Sequence, residues 1–119
     1  MADRIQLLCE LLLDKQEEGG ARDDAALLLQ DYAAEEGVYD ERALQALLTV
    51  GSDMDKNEAW IHDVVGEAIG HYLAGMERYD VQYLQGLSLD ARGNALDIME
   101  FYDFNRTEAL RKQLKAKGL

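Results

Sequence analysis

The sequence predicts a single all-α domain of about six or seven helices, and three observations carry that expectation. Apolar residues recur at helical spacing in nearly every segment, Leu and Ala dominate while Val, Ile and Thr are sparse, and proline is absent. A chain of 119 residues suffices for one continuous core, so residues 1–119 are read as one domain. The expected architecture is a stack of antiparallel helical hairpins, either solenoid-like or as an irregular bundle. Without proline, the punctuation falls to Gly, Asp, Asn and Ser.

The first helix is expected over residues 3–18, stopped by Gly19 and Gly20, and the second over 24–36, ended by Gly37. A third follows Asp40 as N-cap, turns Leu44, Leu47 and Leu48 inward, and ends near Gly51. The fourth is the clearest. Asp55 and Glu58 have capping-box spacing, and Trp60, Ile61, Val64, Val65, Ala68, Ile69, Tyr72, Leu73 and Met76 make one apolar stripe. On its flank Gly66 and Gly70 lie one turn apart and permit another helix to approach closely. A fifth helix follows Asp80, with Val81, Leu84 and Leu87 inward. The last two are expected over 92–101 and 106–117, the latter capped by Asn105 with Glu108.

Residues 31–48 laid on residues 71–88 match at seven of eighteen positions, including Tyr32 with Tyr72, Tyr39 with Tyr79, Asp40 with Asp80 and Leu44 with Leu84. A third Tyr-Asp pair, Tyr102 and Asp103, marks the joint before the last helix. The repeated unit is a helical hairpin in which a tyrosine closes one helix and an aspartate begins the next. Two segments resemble ankyrin repeats. Arg92, Gly93, Asn94, Ala95, Leu96, Asp97 and Ile98 resemble the turn and first helix of a terminal unit, with Leu110 and Leu114 in its second helix and Lys117 and Gly118 at its exit. Within residues 26–55, Leu27, Gly37, Leu44, Leu47 and Leu48 fit the two helices, and Gly51, Ser52 and Asp53 the exit. The resemblance, over about half the chain, implies two-helix units stacked on one solenoid core.

The formal charge is −12, and it is uneven: up to Glu108, 24 acids face 8 bases, after which Arg111, Lys112, Lys115 and Lys117 follow. An acidic body repels nucleic-acid phosphates and anionic membranes and steers toward basic partners; the same charge also confers solubility. Neither a signal peptide nor a membrane span is legible, because Glu10 interrupts the one N-terminal apolar run. A cytoplasmic location is expected. The lone cysteine, Cys9, falls among Leu7, Leu8, Leu11 and Leu12 and reads as a buried core thiol.

Catalytic chemistry finds no constellation. His62 and His71 each follow an acid by four residues, Glu58 and Glu67, but nine residues separate the histidines, about half a turn out of phase, so one helix cannot aim both at one ion. Ser52 and Ser88 read as helix-start residues, and the glycines form no phosphate loop. No cofactor or metal is expected. Glu17, Glu18, Glu35 and Glu36 are placed in last helical turns, where the helix dipole disfavours acids and capping cannot explain them.

These features predict a non-enzymatic protein-interaction module, of the immunity-protein, antitoxin, inhibitor or adaptor type, binding a basic protein partner. The expected contact comprises Glu35, Glu36, Tyr39, Asp40 and Glu41 together with Tyr79 and Asp80. Alternatives are a nucleic-acid mimic occupying another protein's groove, or a small metal-dependent enzyme using His62 or His71 with Glu58 or Glu67. Pairing of the basic tail with the acidic body of a second copy leaves a homodimer open.

Overall fold

A computed structural model describes residues 3–119; the first two residues of the 1–119 unit lie outside it. The described chain is all-α, with helices α1 (Arg4–Leu13), α2 (Gly19–Ala34), α3 (Glu41–Gly51), α4 (His62–Gly75), α5 (Val81–Leu84), α6 (Leu89–Tyr102) and α7 (Phe104–Ala116). A 3-10 turn, Lys56–Ile61, leads into α4. No described helix is long and apolar enough to cross a membrane.

Side-chain caps fix most helix starts. Asp3, Asp40, Ser88 and Asp103 each accept from a backbone N–H in the first turn of α1, α3, α6 and α7. The boundaries differ from expectation where a local bond outcompetes periodicity. The first helix ends at Leu13, because the Asp14 carboxylate accepts from the Gln16 N–H at 3.0 Å and turns the chain. Gly19 and Gly20 therefore open α2 instead of closing α1, and Glu17 and Glu18 precede a helix N-terminus, where the dipole favours acids. Asp103, not Asn105, caps α7, and Glu108 pairs with Arg111 instead of completing a capping box. Arg92, Gly93 and Asn94 lie inside α6, which Ser88 starts three residues earlier than expected. Ser52 closes α3; it does not begin a helix.

The fourth-helix stripe is not continuous. Asp55 accepts from the Asn57 N–H, so the segment enters as a 3-10 turn with about three residues per turn in place of 3.6. That change of phase leaves Trp60 49% exposed, outside the core predicted for it, while Ile61, Val65, Ala68, Ile69, Tyr72 and Leu73 are buried. Glu58 does not complete the expected box. It points inward to Arg22.

The buried apolar residues form one cluster centred on α4. One side of α4 packs on α6, the other on α2 and α3; α1 lies across α2 and α3, and α7 covers α6 and reaches α5. Helices α2 and α3 pack chiefly on α1 and α4. Cys9 is a free thiol in this core, and burial pushes its pKa up. At the α4–α6 crossing the two glycines act as the sequence predicts. A Cβ on Gly66 would lie 2.5 Å from the Ala91 carbonyl oxygen, and one on Gly70 would lie 2.7 Å from that of Ala95.

The forty-residue repeat is visible in the backbone. Gly37 and Glu77, forty apart, both adopt left-handed conformations, with φ of 65° and 57°, just after α2 and α4. The Val38 N–H then reaches back to the Tyr32 carbonyl, and the Arg78 N–H to that of Leu73. Glycine adopts this geometry freely whereas glutamate is strained there. Glu77→Gly is expected to stabilise the fold by roughly 0.5–1 kcal/mol in urea unfolding, since the exposed side chain holds Arg106 only at 3.8 Å.

Candidate functional site

The seven residues expected to form one acidic, tyrosine-bearing face are divided by the fold. Tyr39 is half-buried, its ring edge-on to Tyr72 with centroids 6.2 Å apart and lying against Gly75, where a Cβ would collide with it. Tyr79 is also half-buried, with the Arg106 guanidinium 4.3 Å from its ring centroid. Asp40 caps α3 and is bound by Arg42 at 2.7 Å, which holds its carboxyl below the usual range and which also binds Asp3. Arg78 binds Glu41 at 2.7 Å with the same effect on its pKa and lies over the Tyr83 ring. Glu35, Glu36 and Asp80 are exposed and make no ion pair among the described residues.

Two of these acids belong to a larger surface. From Glu17 to Glu36 the chain has seven carboxylates and a single base, Arg22, which is buried and committed to Glu58. Asp24, Leu27, Asp31 and Ala34, spaced three or four apart, form an exposed stripe on α2, and Glu35 and Glu36 stand at its C-terminal end. Glu35 is the C-cap residue of α2, so the carbonyl end of the helix faces this pair. Unlike Glu17 and Glu18, these two acids oppose the helix dipole, each by about 0.3–1 kcal/mol.

The basic tail is only partly free. Arg111 is bound by Asp97, Glu100 and Glu108, leaving Lys112, Lys115 and Lys117 exposed. Sequence reasoning missed an aromatic knuckle at the α6–α7 joint. Phe101 is 88% exposed and Phe104 58%, on either side of Tyr102 and the Asp103 cap. Three aromatics within four residues of a helix joint were its only signal.

The histidines part company. His71 is half-buried and shares a hydrogen bond of 2.7 Å with the Tyr102 hydroxyl; burial lowers its pKa, opposed by Glu67. His62 is buried, with Nδ1 2.7 Å from Ser88 Oγ and Nε2 bonded to nothing among the described residues. Ser88 Oγ accepts the Ala91 N–H as an α6 cap, which commits the hydroxyl to structure. No three His, Cys, Asp or Glu side chains among the described residues are gathered to hold a metal ion. Comparison of the chain with family models, curated proteins and solved structures finds no match.

Proposed function

We propose that this protein is a non-enzymatic interaction module, of the immunity-protein, antitoxin, inhibitor or adaptor type, that presents an acidic helical face to a basic protein partner. The observation that carries the reading is the pair Glu35 and Glu36: exposed, without counter-ions among the described residues, and set against the dipole of α2. Their placement costs folding stability, and a cationic ligand offsets that cost on binding. The rest of α2 extends the same field, with Leu27 as an apolar contact between Asp24 and Asp31. Asp80 lines a hollow with Val81, Gln82 and Gln113 of α7, and Asp40 and Glu41 contribute only if Arg42 and Arg78 release them. The exposed Phe101 and Phe104 offer a second, apolar contact.

A cytoplasmic site of action agrees with the free, buried Cys9. The ankyrin-like reading of the C-terminal hairpin is supported by Leu110 and Leu114, both buried in α7, while the turn it expects at residues 92–94 lies inside α6.

The test is affinity capture with the wild-type chain and with Glu35→Lys/Glu36→Lys, at about 50 and 500 mM salt, followed by mass spectrometry. Basic proteins should be retained by the wild type at low salt, lost at high salt and lost with the reversed pair. The neutral Glu35→Gln/Glu36→Gln variant should weaken binding while raising stability by a few tenths of a kcal/mol or more. A complex insensitive to both salt and reversal overturns the reading.

A further inference from the structure

A cleft of about 590 Å³ opens between the 3-10 turn and the N-terminus of α6, away from the acidic helix. That volume falls within the ~300–1,000 Å³ of small-molecule sites. Met54, Ala59, Leu87 and Leu89 give it an apolar wall, and Leu89 is 77% exposed.

Its polar groups are unusual in having so few partners. Arg92 lines the cleft and is 8% exposed, yet its guanidinium makes no hydrogen bond or ion pair with any described residue. Arg22, the other buried arginine, is bound by Glu58 through both terminal nitrogens and by the Leu12 carbonyl through Nε. The Arg92 nitrogens are not sealed from solvent, so in a chain of formal charge −12 this arginine presents an uncommitted cation to the cleft. His62 also lines the cleft. Ser88 Oγ accepts from the Ala91 N–H and lies 2.7 Å from Nδ1; in the tautomer in which that hydroxyl donates to Nδ1, the imidazole proton sits on Nε2, the buried atom without a partner among the described residues. The first amides of α6, at Leu89 and Asp90, likewise meet no acceptor among the described residues. Of the acids at the rim, Asp53 and Asp55 share the Lys15 ammonium at 2.6 and 3.8 Å. Asp90, Lys56 and the C-terminal Leu119 also line the cleft.

We propose that this cleft binds a small monocarboxylate with an apolar body. Its carboxylate pairs with the Arg92 guanidinium beside the His62 N–H and the α6 N-terminus, and its body lies on Met54, Leu87 and Leu89.

The test is a heteronuclear NMR titration of the full chain with octanoate, using acetate and octylamine as probes of the two halves of the ligand. Octanoate should produce saturable shifts at the Leu89 and Asp90 amides and the His62 ring. Acetate and octylamine should bind at least about tenfold more weakly, as should octanoate to Arg92→Gln. Leu89→Ala, at an exposed position that leaves the core untouched, should weaken octanoate several-fold. Octylamine binding as tightly as octanoate, indifference to Leu89→Ala, or shifts confined to the Phe101 and Phe104 knuckle would each overturn the proposal.

Discussion

Glu58→Gln is expected to lower the stability of this protein by about 3–5 kcal/mol, the largest loss from any single polar substitution. Glu58 and Arg22 are 4% and 2% exposed, and the carboxylate accepts from both terminal guanidinium nitrogens, at 2.9 and 2.6 Å. The guanidinium Nε meanwhile donates to the Leu12 carbonyl at the end of α1, so one side chain on α2 fastens α1 to the 3-10 turn. Neutralising Glu58 leaves a cation buried without its counter-charge; Arg22→Met strands an anion in the same way. The double variant Arg22→Met/Glu58→Leu should lose much less than the two single losses combined, because no charge then remains to be desolvated. Urea unfolding of the four proteins measures that coupling. The pair also predicts a pH dependence. Hydrogen bonding from Arg22 holds the Glu58 carboxyl below its ordinary value against the opposing effect of burial. Its contribution is therefore complete above the unfolded-state pKa of about 4.3 and is lost as pH falls through the lower folded-state value. The wild-type urea midpoint should fall steeply below about pH 4.5, and more steeply than that of Glu58→Gln. Equal slopes would mean that the pair contributes little.

Nothing in the local sequence announces this pair, because its members lie 36 residues apart. A signal was present in the phase of α2. Arg22 falls on the same stripe as Ala25, Ala26, Leu29 and Ala33, all buried, so a base stands where the period calls for an apolar residue. Periodicity and caps were legible wherever short-range bonds decide the outcome: Asp40 starts α3, the apolar positions from Val65 to Leu73 fill the core, and Cys9 is buried. They failed where two local signals compete. A double glycine reads equally as the end of one helix or the start of the next, and the Asp14 turn decided for the second. The Asp55 cap promised an α-helix, yet its first turn is 3-10, and Trp60 came out of the core as a result.

The candidate contact was less legible than the fold, for a physical reason. Linear proximity of acids and tyrosines does not reveal where arginines from other helices will land. Arg78 arrives at Glu41 from 37 residues away, and Arg106 at Tyr79 from 27 residues away in sequence, each converting an apparent docking group into an internal contact. Glu35 and Glu36 escape because α2 carries no other available base. The acidic surface thus follows α2 and does not follow the repeated Tyr-Asp joints.

Gly66→Ala is expected to destabilise the protein by about 2 kcal/mol, a loss of roughly 8 °C in melting temperature, even though alanine is the better helix former. The two effects have opposite signs, and geometry decides between them. Alanine gains about 1 kcal/mol in helix propensity over glycine. Against that, the added methyl at Gly66 would lie 2.5 Å from the Ala91 carbonyl oxygen and 2.8 Å from its Cα, atoms of a neighbouring backbone that cannot rotate away. Helix α6 must retreat from α4, and the most extensive helix contact in the molecule loosens along its length. Gly70→Ala should behave alike, with the Ala95 carbonyl and the Ile98 side chain both 2.7 Å from the new atom. Gly93 supplies the opposite case on the partner helix. It is exposed within α6, and a Cβ there meets nothing within 4 Å, so Gly93→Ala should stabilise by about 0.5–1 kcal/mol. Thermal unfolding of the three variants therefore separates backbone approach from propensity. Losses at 66 and 70 with a gain at 93 would establish that these glycines set the α4–α6 distance, whereas a gain at all three would mean that the two helices do not pack this closely.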